Sequence, residues 1–265
     1  MSAINKGAEL LQVRGLGRRF GGLQAVDDLD LTVHAGEIVG VIGPNGAGKS
    51  TTFNLIAGAL GPSSGTLAFA GTRMNGLPPH RVARLGIART FQHNRPFAGM
   101  TMAENVMVGM HLRMKNALWR QVFLVDESAR AEAEAASHAG ELLEFVGLGD
   151  AKNADVSTLS FGQGRLLEIA RCLAARPRLV LLDEPAAGLT PAECDRLCEI
   201  IRGIAAKGIA VLLIEHDMRL VMSTVERIVV LNFGRKIAEG TPEQIRSDAA
   251  VAAAYLGDLG GLTRA

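Results

Sequence analysis

The chain has 265 residues and a mass of 28.0 kDa, which is enough for one large domain or two small ones. Its 28 Lys and Arg are balanced by 27 Asp and Glu, so the net charge of +1 argues against a protein whose main partner is nucleic acid. The uncharged run at 50–72 is long enough to span a membrane, but its Gly, Pro, Ser, Thr and Asn content is atypical of a span. No secretory signal is visible at the N-terminus.

The first predicted elements surround a glycine-rich loop. Residues 28–34 alternate strictly between polar and apolar, which is typical of a half-exposed strand, and 37–42 are almost wholly apolar, which is typical of a buried one. A helix is predicted at 49–59, a turn at 61–65 and a further strand at 66–70.

The middle of the chain is predicted to be a helical subdomain at about 96–157, inserted in one α/β domain that spans 1–265. Thr101 and Glu104 have the spacing of a capping box, and the Ala- and Glu-rich segment 129–146 ends in apolar residues. No clear strand pattern interrupts this region.

Mixed α/β structure resumes after this insertion. The predicted elements are a helix at 164–175, a strand at 179–182, a helix at 191–207, a strand at 209–214, a hairpin of 227–231 with 235–239, and a helix capped by the residues from 241 to 244.

Three cysteines, Cys172, Cys194 and Cys198, form an odd and sparse set that indicates a reducing compartment. Cys194 and Cys198 are four residues apart on a predicted helix. Two ligands alone do not complete a zinc site, so we interpret the pair as part of a buried helix face.

Residues 43–50 follow the pattern G-x-x-x-x-G-K-[ST] between a predicted buried strand and a predicted helix. The loop consists of Gly43, Pro44, Asn45, Gly46, Ala47, Gly48, Lys49 and Ser50, and Thr51 follows it. Its backbone N–H groups would surround phosphate oxygens, Lys49 would lie beside the β- and γ-phosphates, and the Ser50 hydroxyl would bind Mg²⁺. The pattern predicts a nucleotide site rather than a simple turn.

Two further groups of polar residues follow predicted strands. Asp183 and Glu184 come directly after the apolar strand 179–182, and His216 follows the strand 209–214. Ligands of open α/β sheets bind at the carboxyl ends of strands. We therefore predict that Asp183 serves the metal, that Glu184 activates the attacking water, and that His216 contacts the γ-phosphate rather than acting as a structural histidine.

The segment LSFGQ at 159–163 precedes the predicted helix at 164–175. Ser160 and the Gly162 backbone would cap that helix and present its first amides to an anion. The same residues could equally form an ordinary helix cap.

Taken in order, these motifs resemble the ATP-binding subunits of ABC transporters. The resemblance runs from about residue 10 to residue 257 and rests on GPNGAGKST at 43–51, Gln92, LSFGQ at 159–163, LLDEP at 181–185 and His216. It implies an α/β fold with a P-loop NTPase core of ABC type, an antiparallel β subdomain and a helical insertion. ATP and Mg²⁺ are the implied cofactors.

The resemblance also implies a role for each matching residue. The implied ATP-binding residues are Phe20 and 43–51, the implied metal ligands are Ser50, Gln92 and Asp183, and the implied catalytic residues are Lys49, Gln92, Glu184 and His216. Gln92 would also face the membrane partner. The segment Ser160, Phe161, Gly162 and Gln163 would act in trans, on the ATP of a second subunit in a head-to-tail dimer.

Three positions depart from the family pattern. Phe20 stands where a Tyr often stacks on adenine, Phe161 where many members have Gly, and Thr190 where many have Asp. Phe20 can still stack on adenine, because Phe has an aromatic ring as Tyr does and lacks only the hydroxyl group. Dimer packing is in doubt at Phe161, and a cross-dimer carboxylate contact is in doubt at Thr190.

The stretches IARTFQ at 87–92, DEPAAGLTPAE at 183–193 and AYLG at 254–257 resemble one subgroup more closely. It comprises the ATP-binding subunits of bacterial branched-chain amino acid importers, and this chain resembles the longer of the two. Importers of urea or short amides remain an alternative. The resemblance implies a second ATP-binding subunit, two transmembrane permease subunits, a periplasmic binding protein and a peripheral location on the cytoplasmic face of the bacterial inner membrane.

Two other functions fit the sequence less well. A P-loop kinase or GTPase would leave 159–163 and His216 without a role. A non-transport ABC ATPase that acts on DNA or ribosomes would usually carry two such domains or a long coiled-coil insertion. We therefore expect an importer ATPase that does not bind nucleic acid.

Overall fold

The computed structural model of the protein describes residues 7–90, 96–110 and 125–259. Its strands are β1 (Glu9–Phe20), β2 (Leu23–His34), β3 (Ile38–Ile42), β4 (Ser64–Phe69), β5 (Thr72–Arg73), β6 (Ile87–Arg89), β7 (Leu179–Asp183), β8 (Ala210–Ile214), β9 (Arg227–Asn232) and β10 (Arg235–Gly240). The described helices are α1 (Lys49–Ile56), α2 (Pro79–Leu85), α3 (Met102–Val108), α4 (Val125–Val146), α5 (Phe161–Ala174), α6 (Pro191–Ala206), α7 (Met218–Thr224), α8 (Pro242–Arg246) and α9 (Ala249–Leu259).

The strands form two sheets. An antiparallel sheet has the order β2-β1-β4-β5, and a six-stranded sheet has the order β10-β9-β3-β8-β7-β6. All neighbours in the second sheet are parallel except β10, which pairs antiparallel with β9. The predicted α/β class with an antiparallel β subdomain is confirmed.

The central strands are buried on both faces, as their continuous apolar sequences predict. Every residue of β3, β7 and β8 is buried. Alternate residues of β3 enter different cores: Ile38 and Ile42 pack with the helices, whereas Val39 and Val41 pack with the antiparallel sheet. Because β3, β7 and β8 run parallel, the loops that follow them leave the same edge of the sheet.

Helices dominate the described residues between 96 and 158. Thr101 caps α3 in the predicted box, since its hydroxyl accepts from the Glu104 amide and the Glu104 carboxylate accepts from the Thr101 amide. α4 and α3 pack against α5 around buried residues such as Val106 and Leu143. Among the described residues this region has one isolated bridge, Thr101 with Asp155.

Several boundaries differ from the sequence prediction. β2 begins at Leu23 rather than 28, because Asp28 has a φ of +52° and shifts the register of an otherwise continuous strand. α5 begins at Phe161 rather than 164, because Ser160 is its N-cap. α1 ends at Ile56 rather than 59. β1, α2, β6, α7 and α9 were not predicted.

Cys194 and Cys198 are buried on α6, as expected for an apolar helix face. Within the described ranges no helix combines the length and apolarity needed to cross a membrane.

Arg227 joins the two sheets through a largely buried ion-pair cluster. Its Nε lies 2.8 Å from Glu37 Oε1, a further guanidinium nitrogen donates to the Thr32 carbonyl oxygen of β2 at 2.7 Å, and a third pairs with Glu239 of β10. Burial alone would raise the pKa of Glu37, but hydrogen bonds from Arg227 and the His34 amide outweigh it and hold this pKa below its usual value.

We expect Arg227→Met to lower the free energy of unfolding at pH 7 by about 2–3 kcal/mol, because it leaves the largely shielded Glu37 carboxylate without its guanidinium partner, whereas Glu239 keeps its pair with Lys236. The pKa of Glu37 is lower in the folded protein than in the unfolded chain, so its carboxylate stabilises the folded state at pH values above the unfolded pKa. This contribution disappears as the pH falls through the folded pKa. The loss should therefore shrink below about pH 4, as measured by urea unfolding across pH. The control Arg235→Met removes an exposed pair with Asp27 and should cost less than about 1 kcal/mol. Equal losses in the two variants would contradict this role.

Candidate functional site

The glycine-rich loop joins β3 to α1, as predicted. Gly48 is the N-cap of α1 and has a φ of +99°. A Cβ at Gly48 would collide with the Ala25 carbonyl oxygen, and one at Gly43 with the Leu231 carbonyl oxygen. Only glycine fits these two positions, so the loop can lie tightly between the two sheets.

The ammonium group of Lys49 is held inside this loop. Its Nζ donates to the carbonyl oxygens of Gly43 at 2.6 Å and of Pro44 at 2.8 Å, and the residue is buried. A positive charge at the N-terminus of α1, next to the loop amides, forms a site for an anion.

A pocket of about 470 Å³ opens over the loop. It is lined by Phe20, Leu23, Gln24, Ala25, Asn45, Gly46, Ala47, Gly48, Lys49, Ser50, Thr51, Glu184, His216 and Phe233. The structure thus brings together Phe20, most of the loop and three of the four predicted catalytic residues, Lys49, Glu184 and His216. Gly43 and Pro44 are not among the residues that line it. The volume is that of a small-molecule site.

One wall of the pocket is apolar and exposed. The guanidinium of Arg18 lies 4.5 Å from the ring centroid of Phe20, and Leu23 and Phe233 are 66% and 85% exposed. Such a wall suits a flat aromatic base. The sequence identified Phe20 through the resemblance but gave no signal for Leu23 or Phe233, which only the hairpin contacts bring here.

Glu184 and His216 meet at the other side of the pocket. His216 Nε2 lies 2.6 Å from Glu184 Oε1. Glu184 has a φ of +49°, a left-handed conformation that is strained for a residue with a side chain. The amide of Glu184 donates to the Ile214 carbonyl oxygen at 2.9 Å, so the backbone after β7 is fixed against the end of β8.

Glu215 organises the loops on which these two residues lie. Its carboxylate is buried and accepts from the amides of Ala186 at 2.6 Å and His216 at 2.9 Å. Burial raises the pKa of Glu215, and the backbone hydrogen bonds offset this only in part. Glu215 could not be predicted from the sequence, because an acidic residue next to His216 gives no sign of its distant partner Ala186.

Asp183 ends β7 with one carboxylate oxygen paired and the other unpaired. Oδ2 accepts from Arg89 at 2.8 Å, whereas Oδ1 is buried and has no hydrogen-bond partner in the part of the chain that is described. Buried carboxylate oxygens are normally satisfied, and a hard divalent cation or its water would satisfy this one. Asp183 therefore offers an oxygen that suits the predicted magnesium site, although of Ser50 and Asp183 only Ser50 lines the pocket. Gln92 lies outside the described residues.

The segment 160–163 does not line the pocket. Ser160 caps α5 in a box with Gln163, and Phe161 is 62% exposed with its ring against Gly188. A Cβ at Gly162 would collide with the Glu193 carboxylate, which itself forms a box with Thr190 at the start of α6. The beginnings of α5 and α6 therefore pack closely on each other.

The C-terminal helix also reaches the loop. Tyr255 of α9 is hydrogen-bonded to the Gly43 backbone, and burial raises the pKa of its phenol. Tyr255 belongs to the stretch AYLG at 254–257, but its contact with Gly43 was not predicted.

Comparison with known proteins gives consistent matches. A family model described as ABC transporter matches residues 26–187, and one described as branched-chain amino acid ATP-binding cassette transporter matches 235–259. The chain is 46% identical to the high-affinity branched-chain amino acid transport ATP-binding proteins BraF of Pseudomonas aeruginosa and LivG of Escherichia coli K12. Each match covers 94% of this chain and 98% of the relative.

Solved structures agree with these matches. A nucleotide-free ATP-binding cassette from an ABC transporter has a TM-score of 0.81 and 31% identity, covering 93% of this chain and 98% of its own. An ABC transporter cassette in its ADP conformation has a TM-score of 0.82 and 32% identity, covering 94% and 99%.

Lys49→Ala should weaken ATP binding roughly 100-fold or more. A unit charge at about 4 Å from a phosphate, at an effective dielectric near 20, is worth on the order of 4 kcal/mol before desolvation. Titration of the purified chain with a fluorescent ATP analogue measures the effect. Lys207→Ala, which removes an ammonium group beside Phe145 instead, is the matched control and should bind as the unmodified chain does. Normal affinity in the Lys49 variant would contradict the loop assignment.

Proposed function

The chain belongs to the ABC transporter family as an ATP-binding and ATP-hydrolysing protein, and we propose that it drives the import of branched-chain amino acids. The match at 235–259 and the names of the close relatives support this substrate over urea or short amides. The observation that carries the proposal is the pocket in which the loop, Phe20, Glu184 and His216 meet.

In this proposal the triphosphate lies in the loop and the adenine lies against Phe20. Backbone amides and Lys49 bind the phosphates and compensate the charge that develops on them. Glu184 accepts the proton of the water that attacks the γ-phosphate, and ADP is the leaving group. His216 orients the Glu184 carboxylate through the 2.6 Å contact and would approach the γ-phosphate.

Ser50, Asp183 and Gln92 would hold Mg²⁺, which supplies charge neutralisation at the phosphates. The buried Asp183 Oδ1, which has no hydrogen-bond partner among the described residues, supports this assignment. In this assignment Asp183 binds the metal, and Glu184 accepts the proton from the attacking water.

We also propose a head-to-tail dimer with a second ATP-binding subunit. The segment 160–163 would complete the partner's site, in keeping with its position away from its own pocket. A ligand shifts an equilibrium only by its differential affinity for the two states. Two ATP molecules held between subunits favour the closed dimer, and hydrolysis removes that preference.

The remaining partners would be two transmembrane permease subunits and, indirectly, a periplasmic binding protein. The chain would lie at the cytoplasmic face of the bacterial inner membrane. The helical subdomain at 96–157, inserted in one ATPase domain, and the loop after Gln92 would pass the closure of the dimer to the permease.

Uptake by the assembled complex tests the substrate. The chain is co-produced with its permease subunits, the second ATP-binding subunit and the binding protein, and the complex is placed in liposomes. We expect ATP-dependent uptake of leucine, isoleucine or valine. Uptake of urea or a short amide without these amino acids would overturn the proposed substrate.

Glu184→Gln should bind ATP normally and hydrolyse it roughly 10²- to 10⁴-fold more slowly, because an amide of similar size cannot accept the proton. The ATP-bound dimer should accumulate and appear in size-exclusion chromatography with ATP. Glu199→Gln, at an exposed residue of α6, is the control and should keep normal turnover. Normal turnover in the Glu184 variant would remove this residue from the mechanism.

Ser160→Asp tests action in trans without removing the helix cap. Asp caps helices as well as Ser does, so the melting temperature should hold. A carboxylate facing the partner's phosphates should reduce ATPase activity of the assembled complex at least tenfold and leave ATP binding by the isolated chain unchanged. The matched control is Thr241→Asp, at the cap of α8, which has the same type of box with Gln244. Unchanged activity of the complex in both variants would contradict the shared site.

A further inference from the structure

Arg89 lies on the edge strand β6 and holds three other elements together. Its guanidinium donates to Asp183 Oδ2 of β7 at 2.8 Å and to Asn54 Oδ1 of α1 at 2.6 Å. Its carbonyl oxygen accepts from the Cys172 thiol of α5 at 3.2 Å. The side chain is only 17% exposed, so these contacts are shielded from water.

The two side chains that Arg89 holds belong to the elements that carry the proposed metal ligands. Asn54 follows Ser50 by four residues on α1, and residues four apart lie on the same face of a helix. Asp183 is itself the other proposed ligand. The guanidinium group of Arg89 therefore links α1, one turn after Ser50, to the end of β7.

The strand that carries Arg89 also fixes the orientation of Asp183. The Asp183 amide donates to the Thr90 hydroxyl at 3.3 Å, while Arg89 holds Oδ2. The carboxylate is thus restrained at its backbone and at one oxygen, and its second oxygen is the buried Oδ1 without a partner among the described residues.

We propose that Arg89 is a positioning residue for the magnesium side of the ATP site. It holds Asp183 by Oδ2 so that Oδ1 is presented to the cation, and it holds α1 through Asn54 so that Ser50 keeps its place. This proposal rests on the proposed function, because it takes Asp183 and Ser50 as magnesium ligands. Removal of groups that orient metal ligands typically costs roughly 10- to 100-fold in metal affinity.

The test is binding of a fluorescent ATP analogue to the purified full chain, with Mg²⁺ as the titrant. Arg89→Met should raise the Mg²⁺ concentration for half-maximal binding roughly 10- to 100-fold, while binding in EDTA stays within about twofold of the unmodified chain. Arg89→Lys should give an intermediate rise, because one ammonium group cannot keep both contacts in their planar geometry.

Arg178→Met is the matched control. Arg178 is an exposed arginine just before β7, at the opposite end of the β6–β7 pair, and its guanidinium lies over Phe69. Its loss should leave the Mg²⁺ requirement unchanged. If Arg89→Met does not fold, Asn54→Leu removes one of the two contacts and should raise the Mg²⁺ requirement by a smaller factor.

Three results would overturn the proposal. Equal weakening with Mg²⁺ and in EDTA would show that Arg89 serves the fold alone, and so would an unchanged Mg²⁺ requirement. A lower Mg²⁺ requirement would show that Arg89 competes with the cation for Asp183. By contrast, an unmodified chain whose ATP binding does not respond to Mg²⁺ would contradict the metal assignment of the proposed function itself.

Discussion

Burial of β3 between β8 and β9 determines where the chemistry of this protein can occur. The four apolar residues of β3 are each at most 3% exposed and divide between two cores, so the strand cannot shift without disrupting both. Each such side chain contributes about 1.5–3 kcal/mol when fully buried. The parallel strands β3, β7 and β8 end at the same edge, so the loop after β3 shares a pocket with Glu184 and His216 there.

Much of this arrangement could be predicted because its signals are local. Continuous apolar runs marked β3, β7 and β8, and Gly43–Lys49 spacing marked the loop. β6 escaped prediction because it has only three residues and pairs with β7, far away in sequence. β1 escaped because Gly15 and Gly17 interrupt its apolar pattern and its register with β2 is irregular. The start of α5 was predicted three residues too late, although Ser160 was itself named as a candidate cap and has the capping-box spacing with Gln163.

The residues of the candidate site also fall into those that could be predicted from local sequence patterns and those that could not. Lys49, Glu184 and His216 follow recognisable strands and therefore could be predicted. Their supporting groups could not, since Arg89 is 94 residues away from Asp183 in sequence and Glu215 is 29 residues away from Ala186. Which of several charged side chains fills such a position is decided by tertiary packing, which one sequence does not display.

The contact between Phe161 and Gly188 has a consequence for cooperativity. A Cβ at Gly188 would lie 2.9 Å from the Phe161 ring, so the segment that would face the partner's ATP packs directly on the loop that follows Glu184. If the two subunits share their sites as proposed, the nucleotide bound by one subunit would affect Glu184 of the other subunit through this contact. Turnover should then depend on ATP concentration with a Hill coefficient above 1, and smaller side chains than Phe at this position would loosen that coupling.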